Sequence, residues 1–245
     1  MLGDTVIVQR LDGLVDIELN RPDAGNVLTA TIASAIVAVL ADLDDDVRLV
    51  RLRARGPQFC VGRESPMPPA RTVVSAEVLR RTVASPALAL YDALKQAPVP
   101  VLGVVRGQAI GVGCALAAVC DVTLAADDAA FQVPELDRDI PPALVMAALA
   151  DRVPVKTLAH LVLTRARLTA ADALVAGLIS QVVAADRLDA EMERLTALML
   201  GASATSTRAV KQYLRWAPQA PAGAASALAE HLLATAVSER YSKVS

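Results

Sequence analysis

The hydrophobic pattern changes period several times along the chain. TVIVQRLDGLVDIELN (residues 5–20) places β-branched residues on either side of Asp12-Gly13, which predicts a hairpin that Arg21-Pro22-Asp23 ends. From Thr29 to Leu43 the apolar residues Ile32, Ile36, Val39, Leu40 and Leu43 recur at helical spacing, and the acidic run Asp42 to Asp46 closes that helix. A short strand is expected over Val47 to Leu52. The stretch SPMPPARTVV (residues 65–74) carries too many prolines for a regular element and is expected to be a mobile connection. Ser75 then caps a helix expected from Ala76 to Lys95.

APVPVLGVV (residues 97–105) lacks polar alternation, as a strand buried on both faces does. After Gly111 the run VGCALAAVC suits a short buried helix, and DVTLAA resumes a strand. Strand, loop, helix and strand in that order imply crossover units, hence a partly parallel α/β core covered by helices. From Ala143 onward helix dominates. Thr169 with Asp172 forms a capping-box start, Gly177 a stop, and LISQVV a short extended piece. Three alanine-rich helices close the chain, roughly Asp186 to Leu200, Thr205 to Trp216 and Ala222 to Arg240, and offer an oligomer interface.

A chain of 245 residues with 54% hydrophobic and 20% charged residues can bury one large core with a small appendage. Its net charge of -2 and six aromatic residues give neither a basic field nor stacking platforms, which disfavours nucleic acid as a partner. The N-terminus lacks the cationic start and apolar core of a signal peptide. The most apolar region, Val99 to Cys120, is interrupted by Arg106 and several glycines, so no membrane span is expected. Cys60, Cys114 and Cys120 are odd in number, lie in apolar contexts and lack metal-ligand spacing, which fits small buried fillers in a reducing cytoplasm. His160 and His231 fall on separate helices without companions, and no metal site is expected.

Two glycine-bearing segments stand out, RGPQFCVGRES (residues 55–65) and RGQAIGVGCA (residues 106–115), followed by the isolated Glu135 of FQVPEL. Loops of this kind can aim backbone N–H groups at one oxygen, and a nearby glutamate can then move a proton. Gly111, Val112 and Gly113 lie where strand gives way to helix, where N–H groups are unpaired and favoured by the helix dipole. Val61 and Gly62 are candidates for the opposing donor. When the local pattern stands alone, close packing of a strand-to-helix turn explains the glycines better than catalysis does.

Taken jointly, LNRPDAGN (residues 19–26), FCVGRE (59–64), the stretch 100–121 with GQAIGVG inside it, FQVPEL (131–136) and LTAADALVAGLISQVV (168–183) closely resemble the crotonase, or enoyl-CoA hydratase/isomerase, superfamily. The pieces run in the family order across nearly the whole chain. The resemblance implies a crotonase-like α/β core of repeated ββα units over residues 1–185, followed by a C-terminal helical trimerisation region over 186–245. It further implies coenzyme A thioesters as substrates, with no separate cofactor, and assembly as a homotrimer or hexamer. By position, the oxyanion donors are the N–H groups of Val61 and Val112, although valine disfavours positive φ and narrows a pocket. Glu135 is the acid/base. Gly62, Arg63, Glu64, Gly111, Ala115 and Lys211 fall at substrate-binding positions, Lys211 matching a lysine that can approach the coenzyme A phosphates, with an exposed helix lysine as the equal alternative. Glu64 can also anchor its loop, and residues 137–139 either line the acyl pocket or form a salt-bridged turn.

Typical hydratases of the family carry one glutamate after the glycine-rich loop and another in the later PE motif. Here the first position is Ala115 and the second is Glu135. Shifting a double bond needs one base, whereas adding water commonly uses two groups, so enoyl-CoA isomerisation is the favoured expectation. The alternatives are a hydratase in which Glu64, Asp139 or a water replaces the missing carboxylate, and an acyl-CoA-binding protein that has lost catalysis.

Overall fold

A computed structural model describes residues 5–64, 73–221 and 223–242. The expected proline-rich connection lies largely outside these residues. Strands β1 (Val6–Leu11) and β2 (Leu14–Leu19) form the predicted hairpin. Helix α1 (Ala30–Ala41) begins at Thr29, whose side chain accepts from the Ile32 N–H. Strand β3 (Leu49–Ala54) starts two residues later than the sequence suggests.

Next come α2 (Ala76–Leu79), a π turn (Arg80–Ala84) and α3 (Ser85–Gln96), which together fill the helix expected from Ala76. Pro86 accounts for the turn: it has no N–H to give the carbonyl four residues back, so the α-ladder cannot run through unbroken. The remaining elements are β4 (Val101–Val105), β5 (Gln108–Ile110), α4 (Val112–Val119), β6 (Val122–Ala126), β7 (Ala130–Gln132), α5 (Ala143–Leu149), α6 (Val155–Thr164), β8 (Leu168–Thr169), α7 (Ala170–Val175), β9 (Gln181–Val183), α8 (Leu188–Leu200), α9 (Ala204–Trp216) and α10 (Ala224–Ser242).

The main sheet runs β1-β2-β3-β4-β6-β9, with every neighbour parallel except the hairpin. One face carries Val15, Ile17 and Leu19 into a core shared with α1, α3 and α4. On the other face Leu14, Leu49, Leu102 and Leu124 meet Leu188, Met192 and Leu195 of α8, so the first helix of the C-terminal region covers the sheet. This second face also buries charge. Arg51 and Arg53 both pair with buried Asp16, Arg53 pairs with Glu18, and Arg51 reaches Glu193 on α8.

A second sheet, β5-β7-β8, is absent from the sequence expectations because its strands of two and three residues are too short to show a period. It decides the geometry of the site. β5 and β7 are parallel, and an isolated parallel bridge joins Cys60 to Ala109, so three chain segments point the same way and end at one edge.

Candidate active site

Those three ends carry the candidate residues. β5 ends at Ile110 and the chain turns at Gly111 into α4; β7 ends at Gln132 and passes through Pro134 into a 3-10 turn, Glu135–Arg138; the Cys60 segment leads into Gly62 and Arg63. Hydrogen bonds lock the ends together: Gly111 N–H donates to Gln132 O (2.8 Å), Cys60 N–H to Gln108 O (3.0 Å) and Ile110 N–H to Cys60 O (2.9 Å). Gly113 allows a close approach, since a Cβ there would lie 2.0 Å from the Cys60 carbonyl oxygen and 2.9 Å from its carbon.

Val61, Gly62, Arg63, Gly111, Val112 and Glu135 all line one cavity of about 660 Å³, with Leu79, Val83, Ile140, Leu144 and Val145 among its apolar walls. The donors differ from expectation at one position. The Val61 N–H donates to Gly25 O at 3.0 Å and is therefore not available to a ligand. Its replacement follows from peptide geometry. Gly62 O accepts from the Leu28 N–H (2.9 Å), and in a trans peptide the next N–H points the opposite way, so the Arg63 N–H faces away from Leu28 and has no backbone partner among the described residues. Across the cavity, Val112 is the first residue of α4, and its N–H is likewise unpaired. Gly111, with φ 55 and ψ -113, absorbs the strained turn, which leaves Val112 free of positive φ. Gly111's own N–H is spent on Gln132.

Glu135 is the carboxylate at this junction. Its Oε1 lies over the α-carbon of Gly111, and its Oε2 is buried with no hydrogen-bond partner among the described residues. Burial pushes the Glu135 carboxyl above the usual carboxylate range; its own backbone N–H and the charges of Arg138 and Arg63 oppose that shift. Asp137 and Arg138 line the cavity, Asp139 does not, and Asp137 forms a salt bridge with Arg165 at 3.1 Å.

Three expected substrate contacts lie elsewhere. Glu64 is exposed and pairs with Arg21 at 2.9 Å, anchoring its loop rather than facing the cavity. Ala115 is fully buried, with its N–H on Gly111 O, and does not line the cavity. Lys211 is only 3% exposed, and its Nζ contacts both oxygens of Asp121 at 2.8 and 2.6 Å beside a different cavity. A buried ammonium so occupied is not a free phosphate ligand in this chain. The thiols are buried fillers as expected, and burial raises Cys60 to about 11 and Cys114 to about 12, which keeps both protonated.

Two residues that hold the loops had been given no role. Asn26 is buried with φ 56 and donates to Arg55 O and Gln58 O while accepting from the Arg21 N–H. The Gln58 side chain in turn accepts from Gln108 N–H at 2.7 Å. An asparagine just after a glycine, two residues before an apolar position, was the available signal for a left-handed turn.

Comparison with known proteins agrees with this geometry. The sequence profile of enoyl-CoA hydratase/isomerase matches residues 9–243. The chain belongs to the enoyl-CoA hydratase/isomerase family. It is 30% identical over 215 residues to the Mycobacterium tuberculosis protein named probable enoyl-CoA hydratase echA8, covering 86% of this chain and 81% of that one. The crystal structure of a Mycobacterium smegmatis enoyl-CoA hydratase superposes with a TM-score of 0.87 at 28% identity, over 94% of this chain and 90% of that one. A Thermobifida fusca protein solved in complex with CoA gives 0.87 at 25% identity, covering 98% and 95%. The crotonase-like α/β fold expected from the sequence is therefore the fold of this family member. Among its described residues, no helix is long and apolar enough to cross a membrane.

Proposed function

We propose that this family member acts on acyl-CoA thioesters by stabilising a thioester enolate, with Glu135 as the single proton-transfer group. The observation that carries this reading is the buried, unpartnered Glu135 Oε2 in a cavity that also presents the unpaired N–H groups of Arg63 and Val112. The thioester oxygen would accept from both N–H groups, which stabilise the charge that collects there when a proton leaves the α-carbon. Glu135 would take that proton from C2 of a 3-enoyl thioester and return it to C4, moving the double bond without gain or loss of atoms. The CoA bound in the Thermobifida fusca relative supports the substrate class.

Isomerisation is favoured over hydration because Glu64 and Asp139 do not line the cavity, and Ala115 offers no carboxylate. The hydratase reading draws on the names of the relatives, and its second group would be Asp137, the other carboxylate in the cavity wall. Incubation with 2-enoyl-CoA and 3-enoyl-CoA separates the two. A change in chromatographic retention without a change in mass supports isomerisation, gain of water supports hydration, and binding without either supports a non-catalytic acyl-CoA binder.

We also infer self-association as a homotrimer or hexamer, supported by apolar side chains left exposed on the C-terminal helices, Leu198, Val210, Leu214 and Leu233 among them. Three free buried cysteines fit a reducing compartment such as the cytoplasm.

A further inference from the structure

Resting on the acyl-CoA reading above, we propose that the acyl group carries its own anion, a carboxylate at the end of a short spacer, and that the Arg63 guanidinium recognises it. Arg63 plays two parts in the wall of the cavity. Its backbone N–H is one of the two unpaired donors, and its side chain runs to the π turn, where Nη1 donates to Val83 O at 2.8 Å. That bond fixes the guanidinium a side-chain length from the thioester position, between the main cavity and a smaller one of about 190 Å³.

Among the described residues no ion pair joins Arg63 to a carboxylate, in contrast to Arg80, which is held by two 2.7 Å bonds to Glu77, and Arg21, which holds Glu64. The nearby Glu135 does not neutralise it by contact. A half-buried guanidinium without a counter-ion carries a desolvation cost, and burial holds the Arg63 pKa below the usual arginine value. A ligand carboxylate would remove that cost and use the planar fork bidentately. Arg138, also in the cavity wall and with no carboxylate partner among the described residues, adds a second positive charge. A purely hydrocarbon acyl chain would instead leave the half-buried Arg63 guanidinium without a contacting carboxylate, since Glu135 and Asp137, the acidic residues of the wall, make no ion pair with it among the described residues.

The competing source of an anion is the coenzyme A phosphates. The test measures binding of saturated thioesters by calorimetry, comparing succinyl-, glutaryl- and adipoyl-CoA with the uncharged butanoyl-, pentanoyl- and hexanoyl-CoA, in the unaltered protein and in Arg63→Met and Arg63→Lys. The comparison is repeated with the phosphate-free pantetheine thioesters. The expected result is a preference of at least tenfold for one carboxylated member over its uncharged counterpart. This preference should persist without the phosphates and collapse in Arg63→Met. Equal or tighter binding of the uncharged thioesters by the unaltered protein overturns the proposal without any variant. So does a preference that survives Arg63→Met, or an Arg63 effect that vanishes with the phosphates. Binding of none of the thioesters removes the acyl-CoA reading itself, and this inference with it.

Discussion

Glu135 holds its Oε1 so close over Gly111 that a Cβ on that glycine would lie 2.5 Å from the carboxylate oxygen. The contact ties the proposed base to the turn that leaves the Val112 N–H unpaired, so the glycine serves both halves of the proposed site. In Gly111→Ala the carboxylate, as the end of a flexible side chain, should move aside. The positive φ adds strain of about 1–3 kcal/mol to the fold. The expected outcome is a fall in kcat/KM of roughly a hundredfold or more, larger than denaturant unfolding of the same variant would explain.

Glu135→Gln should bind thioester yet lose proton transfer, by roughly a factor of 10² to 10⁴, read as loss of deuterium exchange into the thioester from heavy water. The pH dependence has a definite sign. A raised carboxyl pKa means the folded chain keeps a proton that the unfolded chain releases, so the stability linked to Glu135 falls as pH rises from the ordinary carboxylate value through the raised one. Glu135→Gln should lack that fall. The acid limb of kcat/KM should lie above the ordinary carboxylate range, and Arg138→Gln should move it higher still, because Arg138 opposes the shift.

Gly113 meets backbone rather than a side-chain end, so its replacement cannot be absorbed locally. In Gly113→Ala the Cys60 carbonyl must retreat, which parts the segments bearing Arg63 and Val112. A loss of about 1–3 kcal/mol in unfolding free energy is expected, together with weakened thioester binding.

Lys211 and Asp121 form a buried ion pair that joins α9 to the start of β6. Removing one partner leaves the other charge uncompensated, so Lys211→Met should cost about 3–5 kcal/mol by denaturant unfolding. Adding Asp121→Asn should recover part of that loss. If Lys211→Met matches the unaltered protein in stability, the pair does not hold α9 to β6.

Exposed Leu214 and Trp216 on α9 should become buried if the chain self-associates. Sedimentation of the unaltered protein at a mass three or six times that of the chain, shifted toward monomer by Leu214→Glu, is the expected result.

The hairpin, α1, the Thr169–Asp172 capping box and the buried run of α4 were all legible in the amino-acid order, because each depends on contacts within a few residues. Glu135 and the two glycine loops were legible as motifs. The identity of the first donor was not. Whether Val61 or Arg63 presents its N–H depends on which way each peptide plane faces, and Gly25 and Leu28 set that by pairing from outside the motif. The fates of Lys211 and of the Asp16, Arg51 and Arg53 charges were hidden for the same reason, since their partners lie tens of residues away. The small sheet that gathers Arg63, Val112 and Glu135 at one edge left no local trace: strands this short take their register from their neighbours, and only the assembled chain supplies those neighbours.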